Sequence, residues 1–141
     1  MSSDQCPISA YTETQGLRYF PRMLSKIRLL AADQLREDFH EMIGQGLDGR
    51  LCKYLRVDYA ALREQTLATD NDDAVFAWVQ ENGRGLNETD ILMWNHYVTK
   101  LGWKDQVTES LANRKQSSGL ENRDEIETMI EYFEYDEGRK S

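Results

Sequence analysis

The side chains best placed to do chemistry in this chain are Arg22, Lys26, Asp48, Arg50, Trp94 and Asn95. Arg22 and Lys26 stand one helical turn apart, so they could engage one anion together, whereas Arg28 points elsewhere on the same helix. Asp48, Arg50 and Asn95 each sit beside an apolar stripe rather than on a fully solvated face, and buried polar groups need partners. The scaffold reading, which the sequence favours, has Asp48 capping a helix, Arg50 bracing a carboxylate and Asn95 bonding a loop backbone. The functional reading is a small pocket edged by Trp94, in which Arg50 grips a carboxylate or phosphate and Asp48 holds it in place.

Other patterns are weaker. Gly44-Gln45-Gly46-Leu47-Asp48-Gly49 matches a dinucleotide-binding spacing, but that mechanism needs a buried strand before it. Asp38-Phe39-His40-Glu41-Met42-Ile43 carries charges where the strand should be apolar, so a glycine-rich turn explains the run better. His40-Glu41 opens like a zinc-protease helix, yet Gly44 stands where the second ligand belongs, and His40 and His96 are the only two histidines. No metal and no cofactor is expected. Cys52 lies on a core-facing helix with no histidine partner in view, which suits a buried, inert thiol. Without a nucleophile or a catalytic set, the chain reads as a non-enzymatic binding or protein-interaction module. The alternative is a sensor or enzyme gripping a small anionic ligand around Asp48, Arg50 and Asn95.

The elements that must position these residues are helices. Pro21 suits a first helical position, and Met23, Leu24, Ile27, Leu30 and Ala31 then make one stripe, with Arg22 and Lys26 opposite it. Asp48, Asp58, Asn71 and Asn87 are candidate N-caps, and Asn122 with Glu125 resembles a capping box before Ile126, Met129, Ile130 and Phe133. Asn82-Gly83 reads as a left-handed helix end. Gly102 reads as another, placing Trp103 for an apolar contact back onto Val98. Val107 and Leu111 suggest a helix that frays by Ser117-Ser118-Gly119. No convincing period-2 segment remains, so the expected fold is all-α, a single-domain bundle of about six or seven short helices. Residues 1–15 read as a flexible leader and residues 16–141 as the helical domain.

Composition narrows the partners. The 141 residues carry 17 Lys+Arg against 25 Asp+Glu, a net charge of −8, which disfavours nucleic acid and anionic membranes. Residues 1–60 hold 8 basic and 8 acidic side chains, so the whole imbalance sits downstream. The densest basic cluster, Arg18 to Arg28, reads mainly as a solvated helix face. A polar start and two unpaired cysteines point to a cytoplasmic protein without a disulfide framework. A protein partner or small anion remains, with the chain a monomer or homodimer.

Several runs carry a resemblance: Asp48-Gly49-Arg50-Leu51-Cys52-Lys53-Tyr54-Leu55, Trp94-Asn95, Lys100-Leu101-Gly102-Trp103-Lys104-Asp105 and Asp136-Glu137-Gly138-Arg139. Together they resemble a bacterial domain of unknown function family, the one numbered 5069. The resemblance spans nearly everything from Gly16 to Arg139 and implies a small, single-domain bacterial protein, with no activity attached. That family often has cysteine where this chain has Leu51 and Val79, so thiol chemistry at those positions does not carry over. The charged Asp136–Arg139 tail, kept in register, is expected to fold back and pair with Arg50 or Arg22.

Overall fold

Pro21 has no N–H to donate, so a helix can begin at it but not run through it. In the computed structural model, which describes residues 5–141, α1 spans Phe20–Ala31 with Pro21 in its first turn. Six more helices follow: α2 Leu47–Leu55, α3 Tyr59–Leu67, α4 Asp72–Asn82, α5 Glu88–Lys100, α6 Thr108–Ser117 and α7 Met129–Asp136. A 3-10 turn covers Glu37–Met42. Short polar side chains start four of the helices, α3, α4, α5 and α7, by accepting amide protons left without helical partners. Asp58 accepts from Ala61 N at 3.1 Å, and Asn71 accepts from Asp73 N at 2.9 Å. Asn87 and Asp90 exchange bonds in a full capping box.

Apolar faces of these helices meet in one main core containing Phe20, Met23, Leu24, Leu51, Leu55, Leu62, Val75, Val79, Trp94, Val98 and Ile130. A smaller cluster of Leu111, Ile126, Met129 and Tyr132 joins α6 to α7, and Phe133 packs against both clusters. Among the described residues no helix is long and apolar enough to cross a membrane.

The mostly helical expectation holds, with local corrections. A small antiparallel hairpin pairs β1 Glu13–Thr14 with β2 Leu17–Arg18; strands of two residues are too short to show alternation. Asp48 does not cap α2, because Gly46 occupies that position and Asp48 lies inside the first turn. Asn122 caps nothing, since α7 starts later, at Thr128, whose side chain accepts from Glu131 N. Gly83 is extended rather than left-handed. Its requirement is space: a Cβ there would sit 2.3 Å from the Leu55 carbonyl oxygen. Trp103 is 48% exposed and stacks under Lys104 instead of returning to Val98.

Of the expected leader, residues 1–4 lie outside the described residues, and residues 5–15 are packed against the domain. Gln5 bridges the backbone at Leu35, Ala10 is fully buried, and its carbonyl accepts from Tyr19 N at 3.1 Å. The largest correction concerns α1. Arg22 and Lys26, expected on a solvated face, are 1% and 6% exposed. The packed amino-terminal segment and the chain's end cover that face, and neither is visible in the periodicity of α1 itself.

Candidate ligand-binding cavity

Burying a guanidinium is costly unless its charge and its donors are matched. For Arg22 the match comes from the charged tail. Its two terminal nitrogens bond the Glu137 carboxylate at 2.9 and 2.6 Å, and one also bonds the Ile8 carbonyl at 3.1 Å. Burial draws the Arg22 pKa down, but the Glu137 bonds and charge outweigh it and leave it raised. Arg139 completes the tail's closure by bonding Glu137 at 2.6 Å and Glu134 at 3.2 Å, and it also bonds the Pro7 carbonyl. The sequence expectation that the tail folds back onto Arg22 is thus met through Glu137. One donor is left over: Nε of Arg22 is buried and has no hydrogen-bond partner among the described residues.

One turn further along α1, Lys26, Tyr19 and Asp48 form a buried triad. Lys26 Nζ lies 2.8 Å from Asp48 Oδ1 and donates to the Tyr19 hydroxyl at 2.9 Å. That hydroxyl donates in turn to Asp48 Oδ1 at 2.7 Å, and the other Asp48 oxygen accepts from Gly44 N at 3.0 Å. Asp48 is fully buried, so every partner helps to replace lost water. Burial is the main cause that lowers the Lys26 pKa and raises that of Tyr19 well above its usual range. Tyr19 reaches this position with φ 73°, a left-handed backbone that a bulky aromatic residue adopts at some cost.

Both groups open onto one cavity of about 290 Å³, whose walls come from α1, the 3-10 turn, the start of α2, the end of α5, α6 and α7. Phe39, Met42, Tyr97, Leu101, Val107, Met129 and Phe133 give it an apolar and aromatic lining, and Phe133 lies 4.6 Å from the Arg22 guanidinium carbon. The charges at its edge fall into two sets. Asp38 and Asp136 are matched by Arg36, at 2.6 and 3.0 Å, and Glu137 is matched by Arg22. Arg50 and Arg114 also line the cavity, and neither side chain makes a hydrogen bond or ion pair among the described residues.

The six residues singled out from sequence therefore separate. Arg22, Lys26 and Arg50 line this cavity, and Asp48 stands directly behind Lys26 and Tyr19. Trp94 and Asn95 do not join them. Trp94 Nε1 donates to the Arg18 carbonyl at 2.9 Å; Asn95 accepts from Arg18 N at 2.9 Å and donates to the Gly16 carbonyl at 2.7 Å. These two hold the hairpin, so the pocket uniting Asp48, Arg50 and Asn95 does not form. Arg50 braces no carboxylate either.

Sequence reasoning missed Tyr19, Arg114 and Phe133. The sequence marks Phe133 only as part of an apolar stripe, and Arg114 lies on a helix polar on nearly every side. Cys52 is buried, and burial raises its thiol to about 12, so it is an inert group there. His96 is exposed and, among the described residues, pairs only with Lys100 at 3.2 Å. Among the described residues, no group of three or more His, Cys, Asp or Glu side chains is placed to hold a metal.

The blocks that surround this cavity, from Asp48 to the Asp136–Arg139 tail, fall within residues 4–139, which match a family model described as a domain of unknown function, DUF5069. The chain belongs to that family. No curated protein matches it.

Proposed function

We propose that the cavity binds a small organic anion with an apolar, ideally aromatic, body. The observation that carries this reading is that Arg50 and Arg114, whose side chains make no bond among the described residues, both line an apolar-walled cavity whose other charges are already matched. A bound carboxylate or phosphate would supply the partner both guanidinium groups lack. The cavity's volume of about 290 Å³ is at the small end of ligand sites, which run from about 300 to 1,000 Å³. It suits a compact acid rather than a nucleotide.

A protein-interaction role has less behind it. Its best feature is Met93 and Tyr97, 65% and 37% exposed and one turn apart on α5, and scattered exposed apolar side chains are ordinary on soluble surfaces.

Thermal unfolding with benzoate or phenyllactate, against benzamide and chloride as controls, tests the reading. A ligand at about 100 times its Kd adds about 2.7 kcal/mol to stability, so the aromatic acids should raise Tm while benzamide does not. Arg50→Ala with Arg114→Ala should remove the rise. Equal shifts with benzamide and the acids would overturn the assignment of an anion site.

A further inference from the structure

The triad at the base of the cavity has the parts needed to bond covalently to a ligand. Lys26 is one of the residues lining the cavity and is only 6% exposed, so its amine is nearly stripped of water. Two groups able to take and return protons lie within hydrogen-bonding distance of it: Asp48 Oδ1 at 2.8 Å and the Tyr19 hydroxyl at 2.9 Å. They are bonded to each other at 2.7 Å, which makes a continuous path for a proton. The strained backbone of Tyr19 lies at this same point. Burial and the Arg22 charge favour the neutral amine, while Asp48 and Glu137 oppose that shift.

Resting on the anion-site reading above, we propose that Lys26 forms an imine with a small 2-oxo acid whose carboxylate is held by Arg50 and Arg114. The ammonium first gives one proton to Asp48. The nitrogen lone pair then bonds to the carbonyl carbon, the C–O π pair moves onto oxygen, and Tyr19 protonates that oxygen and is reprotonated from Asp48. The second nitrogen proton follows the same path, the C–O bond breaks, water leaves and the C=N bond forms. The balance is ammonium plus carbonyl giving iminium plus water, with nothing oxidised or reduced. Because the nitrogen and Asp48 lose and regain their charges together, and the iminium ends with the positive charge on the same nitrogen, buried Asp48 is never left ionised without its counterion, which avoids the large cost of an unpaired buried carboxylate.

The test uses the full chain with phenylpyruvate and sodium cyanoborohydride, read by intact mass and peptide mapping. Phenyllactate, which lacks the carbonyl, serves as the matched probe in thermal unfolding. We expect a single reduced phenylpyruvate adduct per chain on the peptide carrying Lys26, its loss in Lys26→Arg, and a Tm rise with both probes. Adduct scattered over surface lysines, or no adduct while both probes raise Tm, overturns the imine and leaves the anion site standing. No adduct and no Tm rise with either probe overturns both. The wild-type peptide map decides even if Lys26→Arg does not fold.

Discussion

Two buried polar clusters lie at different places on this fold, and they differ in what is left over once internal bonds are made. At the hairpin, Trp94 and Asn95 spend their donors and acceptors on the backbone of Gly16 and Arg18. Neither of these two side chains is charged, and Trp94 is closed into the main core. At the cavity, Arg22, Lys26 and Asp48 are also bonded internally, yet among the described residues one Arg22 donor has no partner and two further arginines line the same space with no side-chain bond. Burial alone therefore does not separate scaffold from site; unspent hydrogen-bonding capacity beside open volume does.

The hardest blow to that contrast is Asp48→Ala. It leaves the Lys26 ammonium buried without its carboxylate, a change that costs about 3–5 kcal/mol when a buried pair is broken from one side. Urea unfolding should show most of the protein's stability lost. Removing both charges together, as Lys26→Met with Asp48→Leu, should cost clearly less than Asp48→Ala alone. Asn95→Ala comes next: it strands Arg18 N and the Gly16 carbonyl, at about 1–3 kcal/mol for unsatisfied buried groups. It should leave aromatic-acid binding unchanged. A drop in that binding would join the two clusters functionally and undo the contrast.

How far the sequence reaches depends on whether a signal is local. Asp58, Asn71 and Asn87 cap helices as their types and following residues require, and Pro21 starts α1, because those interactions span only a few residues. Arg22 and Lys26 were misplaced for the converse reason. Their burial comes from Glu137, 115 residues away, from Asp48 and from the packed amino-terminal segment. The stripe on α1 shows which face must be buried but not that the opposite face is covered too. Half of the site was legible through Arg22, Lys26, Arg50 and Asp48 as polar residues beside apolar stripes. Arg114 and Tyr19 carry no such mark, since one lies on a polar helix and the other acts through a long-range contact.

Alkaline pH sharpens the comparison further, because the side chains of Trp94 and Asn95 carry no titrating group and the Asp48 side holds three whose folded pKa is raised. Burial first, then the Asp48 charge, pushes Tyr19 well up and takes Tyr59 and Cys52 to about 12. Raised values mean that the folded state keeps protons the unfolded chain releases, so this stability is full below the unfolded values and is lost as pH climbs toward the folded ones. Urea midpoints should hold to about pH 9 and fall between pH 9 and 12. Lys26, lowered by burial, has the opposite sign and offsets part of the fall just below its ordinary value. Cys52→Ala should flatten the early part of the decline. A midpoint unchanged up to pH 11 would show that these groups titrate normally.

The smallest effect on stability belongs to Arg50→Ala. Arg50 is exposed and its side chain makes no bond among the described residues, so its removal should change unfolding free energy by no more than about 0.5 kcal/mol in either direction. Its effect on ligand should be much larger, since a charge-assisted hydrogen bond contributes about 1.5–3 kcal/mol, or roughly tenfold or more in Kd. Titration calorimetry with benzoate on Arg50→Ala and on Arg50→Lys reads this directly. Lysine keeps the charge but not the planar fork, so it should restore only part of the affinity if the anion is gripped by two parallel bonds. Full recovery with lysine would make the site a simple electrostatic one, and a large stability loss in Arg50→Ala would move Arg50 to the scaffold side of the comparison.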